Sequence, residues 1–150
     1  MDDSSPRPAG SGDLLMALLQ DAGIGLNSVV RVAGRDGLGP LIWLCRHGFE
    51  DVGYVRLGAG GPREPADLLL VLHDPAPAEL EALLAQHGAL KEGGVLILQT
   101  RDMRAPDGHD PVHPVLEKAG YRVERCVLRH FRELHVARHG PGPSGLRQAA

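Results

Sequence analysis

The hydrophobic positions change period several times along the chain, and each change marks an element. In "GDLLMALLQDAG", Leu14, Leu15, Leu18, Leu19 and Ala22 recur at helical spacing, with Asp13 placed to cap the start and Gly23 to stop the end. "NSVVRVAG" is a short β-branched run ending at glycine, which predicts a strand. "LGPLIWLCRHG" predicts a second helix with Leu38, Leu41, Ile42 and Cys45 on one face, Pro40 in its first turn and Gly48 past its end. "EDVGYVRLG" predicts a second strand, with Val52, Tyr54 and Arg56 at alternating positions. Beyond the loop "AGGPREPA", the runs "DLLLVLH" and "GGVLILQT" are apolar without interruption and of strand length. Such runs belong to strands covered on both faces, as in parallel sheets. Between them, "PAPAELEALLAQHG" is an amphipathic helix with Leu80, Leu83 and Leu84 inward. "HPVLEKAG" predicts a short helix, and "YRVERCVLRH" and "RELHVARH" alternate as edge or antiparallel strands do.

This order predicts a three-layer, Rossmann-like α/β domain with a mostly parallel sheet. The connection inside "CVLRHFRELHVA" is too short for a parallel return, so one antiparallel strand is expected near the C-terminus. The 150 residues suit a single domain, placed at 13–139, long enough to bury a core without disulfides or metal staples. The segments 1–12 and 140–150, rich in Pro, Ser and Gly, read as disordered tails.

Composition sharpens this in three ways. Aromatic residues make up only 3% of the chain, so the core must be aliphatic. The net charge of -3 offers no bulk attraction to nucleic acid or an anionic membrane, and neither partner is expected. No apolar run approaches the roughly 18 residues that span a bilayer, and the acidic, Pro-rich start lacks the apolar segment of a signal peptide, so a cytoplasmic setting is expected. The two cysteines, Cys45 and Cys126, lie in apolar runs and read as reduced, buried, small hydrophobes.

Candidate chemistry gathers at strand ends. "RVAGRDGLG" is a glycine-rich turn from a strand into a helix, the kind that often holds a cofactor. Arg31, Arg35 and Arg56 fall near the ends of the first two strands. They could form a cationic patch for a phosphate or carboxylate; otherwise they are solvated, or Arg31 pairs with a neighbouring acid. His73 and Asp74 end the third strand, where His73 could act as a general base or simply precede an Asp-Pro turn. "DGHDPVHP" brings Asp107, His109, Asp110 and His113 together in sequence, but in a loop without fixed geometry. His135 and His139 are four apart in a strand and tail, and no metal is expected.

"ADLLLVLHDPAPAELEALLAQHGALKEGGVLILQTRD" resembles the middle of a class I S-adenosylmethionine-dependent methyltransferase. "LKEGGVLIL" stands where that family has "LKPGG" before a strand, with Glu92 in place of the proline, and "LEKAGYRVERC" resembles its "L-x-x-A-G-F". The resemblance covers about Asn27 to Arg138 and implies the family's fold and a cofactor turn at the end of the first strand. It places the family's strand acid at Arg31, and its three turn glycines at Ala33, Arg35 and Gly37, of which only Gly37 is kept. Gly34 lies in the turn out of phase. The acid that would accept the ribose hydroxyls falls near Arg56 and Leu57, and arginine has no acceptor. The segment from Leu57 to Asp67 is too short for the family's next helix and strand, which should leave "DVGYVRL" at the sheet edge.

The resemblance therefore implies a cofactor site at Ala33, Gly34, Arg35, Gly37 and His73 that holds S-adenosylmethionine weakly. Each lost charge-assisted bond is worth about 1.5–3 kcal/mol, which puts binding on the order of 100 µM or worse. The reading is a degenerate methyltransferase-like domain without catalytic activity. It would act as an interaction or regulatory module, through an unknown protein partner or through self-association at the exposed edge. The alternative is an active methyltransferase with an atypical turn and an unknown acceptor.

Overall fold

The computed structural model describes residues 11–34, 37–55, 65–72, 75–86, 90–101, 112–129 and 132–140. Along the chain run α1 (Ser11–Asp21), β1 (Val29–Ala33), α2 (Leu38–Arg46), β2 (Asp51–Val55), β3 (Ala66–Val71), α3 (Pro77–Gln86), β4 (Leu90–Arg101), α4 (Val112–Lys118), β5 (Tyr121–Arg129) and β6 (Arg132–His139). The strands form one sheet in the order β2-β1-β3-β4-β6-β5. β1 pairs in parallel with β2 and β3, and β3 with β4, while β6 is antiparallel to both β4 and β5. The unbroken apolar runs occupy the centre of this sheet, as their two-sided burial requires.

Successive residues of the central strands feed two separate cores. Val30, Val32, Leu68, Leu70, Val95 and Ile97 pack with Leu15, Leu18 and Leu19 of α1 and Leu44 of α2. Val29, Ala33, Leu69, Val71, Leu96 and Leu98 pack with Leu80, Leu83 and Leu84 of α3 and Val112 and Leu116 of α4. This is the three-layer arrangement that the alternation of elements implies.

Three local expectations are corrected. α1 begins at Ser11, so Asp13 lies within its first turn rather than at the cap. The face assigned to α2 is wrong: Leu38 and Ile42 are 66% and 41% exposed and Cys45 is exposed, whereas Leu44 is fully buried. A helix packed over a sheet edge meets it along a narrow stripe, and Cys45 stands about 100° round from Leu44. Cys126 is also exposed, because β5 is the outermost strand. Neither cysteine is the buried hydrophobe that its apolar neighbours suggest.

Among the described residues β2 and β5 form the two edges. α1 does not end at the β2 edge: its Asp21 carboxylate accepts a bond from Arg125 of β5 at 2.8 Å. Among the described residues no helix is long and apolar enough to cross a membrane. The segments 1–10 and 141–150 of the expected tails lie outside the described residues.

Candidate functional site

The turn after β1 is built around a tyrosine. Gly34 takes φ 95°, the left-handed conformation that glycine adopts without strain. Its carbonyl accepts a bond from the Tyr54 hydroxyl, which reaches across from β2. Gly37, just before α2, is buried beneath the same ring: a Cβ there would collide with Tyr54 Cε2 and stand 2.9 Å from Cδ2. The one glycine retained in phase with the methyltransferase pattern thus has a local packing reason. Ala33 is 1% exposed and its side chain belongs to the core below the turn. Arg35, Asp36, Arg56, His73 and Asp74 lie outside the described residues.

Arg31, which the resemblance sets against the family's strand acid, is tied sideways into the sheet. Its Nη1 donates to the Val30 carbonyl at 2.8 Å, the Asp51 carbonyl at 3.3 Å and Asp51 Oδ1 at 3.1 Å. Gly53 makes room for this. It pairs with Arg31 across β1–β2, and a Cβ there would meet Arg31 Cδ and Nε at 3.3 Å. The guanidinium reads as a cross-strand clamp, one of the outcomes open in the sequence. Asp51 is nearly half exposed, so the pair adds modest stability.

A second arrangement lies under α4, among residues that the sequence reading did not join. His113 Nε2, Cys126 Sγ and His135 Nδ1 face one another: 3.3 Å separates the two nitrogens, and 3.4 Å separates the sulfur from each. His113 comes from the first turn of α4, Cys126 from β5 and His135 from β6. His135 is fully buried. Its Nε2 lies 3.0 Å from Thr100 Oγ1 and 3.3 Å from Glu133 Oε1, with Glu133 only 2% exposed. A β-bulge makes the meeting possible. The β5–β6 register shifts between Val123 and Arg125, so Cys126 lies opposite His135, whereas an unbroken ladder would put these two side chains on opposite faces. His139, four residues from His135, packs its ring at a tilt against Tyr121 and turns Nδ1 to the Lys91 carbonyl. Asp107, His109 and Asp110 lie outside the described residues.

Elsewhere charges serve the fold. Asp67 Oδ2 accepts the Val29 N–H at 2.7 Å and Oδ1 pairs with Lys91 at 3.1 Å; led by the backbone bond, these hold its carboxyl below the usual carboxylate range despite partial burial. Burial pushes Glu124 up, but Arg122 and Arg138 outweigh it and its carboxyl titrates below the usual value. Burial alone pushes the Tyr121 hydroxyl up to about 12.

No family model matches the sequence, and no curated protein does. Solved structures do. The ribosomal protein L11 methylase from Lactobacillus delbrueckii subsp. bulgaricus superposes with TM-score 0.65 at 12% identity, covering 86% of this chain and 78% of that one. The magnesium protoporphyrin IX methyltransferase from Synechocystis PCC 6803, solved with bound S-adenosylhomocysteine, gives TM-score 0.59 at 16% identity, with 87% and 82% covered. An S-adenosylmethionine-dependent methyltransferase from Clostridium acetobutylicum ATCC 824 gives 0.57 at 11%, with 87% and 91% covered. The fold of this chain is that of the class I S-adenosylmethionine-dependent methyltransferases.

Proposed function

We propose that this chain is a methyltransferase-like domain that no longer methylates and serves as an interaction or regulatory module. The observation that carries the reading is the Tyr54 ring seated on Gly37 with its hydroxyl on the Gly34 carbonyl. In the family, glycines at such a turn let backbone approach the cofactor, and here a side chain of the protein takes that approach. Arg31 supports the same reading. It replaces an acceptor with a donor whose bonds run to Val30 and Asp51. S-adenosylmethionine therefore binds weakly, on the order of 100 µM or worse, having lost charge-assisted bonds worth about 1.5–3 kcal/mol each.

Titration calorimetry of the full chain with S-adenosylmethionine and S-adenosylhomocysteine tests this. Weak or undetectable heat is expected from both. Low-micromolar binding would overturn the reading and identify an active methyltransferase with an atypical turn. For the partner we assign the β2 edge, where strand backbone can pair with a second copy of the chain. Sedimentation that returns a monomer at every concentration would remove self-association from the proposal.

A further inference from the structure

We propose that His113, Cys126 and His135 form a zinc site that fastens α4 to the β5–β6 hairpin. The inference stands apart from the fate of the cofactor turn, and it departs from the expectation of no metal, which rested on sequence spacing.

The argument begins with distances. Tetrahedral zinc, with bonds of about 2.0–2.1 Å to nitrogen and about 2.3 Å to sulfur, sets two nitrogens about 3.3 Å apart and a nitrogen and sulfur about 3.6 Å apart. The three separations here are 3.3, 3.4 and 3.4 Å. A flat trigonal centre with those bond lengths would hold the nitrogens about 3.6 Å apart, so a tetrahedral ion fits better. Two imidazoles and a thiolate are donors that suit zinc.

The surroundings of His135 supply a second, independent observation. Its Nε2 faces the Glu133 carboxylate oxygen Oε1 and the Thr100 hydroxyl, which can also accept. The carboxylate favours the ring proton on that nitrogen and so directs the Nδ1 lone pair at His113 and Cys126. A carboxylate behind a histidine whose other nitrogen meets the metal is the usual outer support of a metal-bound imidazole. It fixes the tautomer and makes the ligand more basic. Here that support is almost fully buried, with Glu133 2% and His135 0% exposed. Cys126 is exposed and His113 half-buried, so an ion has a way in from solvent.

The electrostatics also balance. Binding replaces the thiol proton of Cys126, so a dipositive ion meets one thiolate and, one bond behind His135, one carboxylate. Affinity must fall at low pH, where protons compete for sulfur and imidazole.

The test uses the full chain carrying Cys45→Ser, so that Cys126 is the only thiol, stripped with a chelator and then titrated with zinc. The expected result is one zinc per chain, a raised unfolding temperature and alkylation of Cys126 slowed by about tenfold or more, since bound thiolate is unavailable for attack. Cobalt in place of zinc should show the intense visible bands of a tetrahedral ion together with a sulfur charge-transfer band. His113→Ala, at a half-buried position in α4, should remove the zinc-dependent rise and the protection of Cys126. Glu133→Gln should bind zinc about 10–100-fold more weakly, because it weakens the support of His135. Unfolding temperature and alkylation rate unchanged by zinc would overturn the site. So would equal protection of Cys126 in His113→Ala, or a cobalt spectrum lacking the sulfur band.

Discussion

The turn after β1 and the cluster under α4 belong to one sheet and have opposite histories in the sequence. At the turn, the sequence resembles the pattern of a cofactor site, and the structure sets Tyr54 over Gly37 and binds Arg31 to Asp51. Under α4, residues far apart in sequence carry no motif, and the structure points three donor atoms at one another. The lesson is that a motif and a site are separable. A turn can carry a glycine of the pattern while its Gly34 carbonyl accepts a bond from within the protein. A ligand set arises wherever a bulge and a helix end bring lone pairs together.

The largest expected effect breaks the symmetry between these regions. His135→Ala deletes a fully buried ring and removes a partner from a buried carboxylate. It should destabilise the protein by about 3–5 kcal/mol in urea unfolding, whereas Tyr54→Ala at the turn should cost about 1 kcal/mol. Equal costs would mean that the two regions are equally built into the fold, and the contrast would fail.

The next test is alkaline. Tyr121 sits in the same core as α4, and burial pushes its hydroxyl from the ordinary tyrosine value of about 10 up to about 12. A folded-state value raised above the unfolded one contributes stability that is complete below about pH 10 and lost as pH climbs towards 12. The loss should be on the order of 2 kcal/mol. Tyr121→Phe should flatten the profile across that window; an unchanged profile would show that another group titrates there.

Gly37→Ala examines the turn directly. The new methyl group must displace the Tyr54 ring and its bond to Gly34, at a cost of about 1–2 kcal/mol. If the ring is the obstacle, Tyr54→Ala in the same chain should recover most of that loss in a double-mutant cycle. Additive costs would mean that Gly37 is needed for another reason.

The smallest effect concerns Arg31. Arg31→Asp restores the family's acid but sets it beside Asp51, replacing an ion pair with two carboxylates. Because Asp51 is nearly half exposed, the cost should be only about 1 kcal/mol. Adding Asp51→Arg should restore the pair with its charges exchanged. A stabilising Arg31→Asp would show that the clamp contributes nothing.

Much of the architecture was legible from periodicity. The runs at Leu68–Val71 and Val95–Leu98 are apolar at every position, and only a strand covered on both faces has use for that. The short link after Arg129 dictated the antiparallel return of β6. That the side chain at position 31 donates and cannot accept was legible too, since this holds for an arginine wherever it points. The burial of the cysteines was misread: apolar neighbours in sequence say nothing about which side of an edge element meets the core.

The sequence by itself determined the order of elements, the two-sided sheet and the absence of an acid at Arg31, because these follow from local period and from side-chain chemistry. Only the tertiary structure decided where Arg31 sends its bonds, what lies over Gly37, and that His113, Cys126 and His135 meet. Those depend on the register of β1 against β2, on one extra residue in β5, and on the seat of α4. Each is set by how distant surfaces pack, and none leaves a periodic trace in the chain.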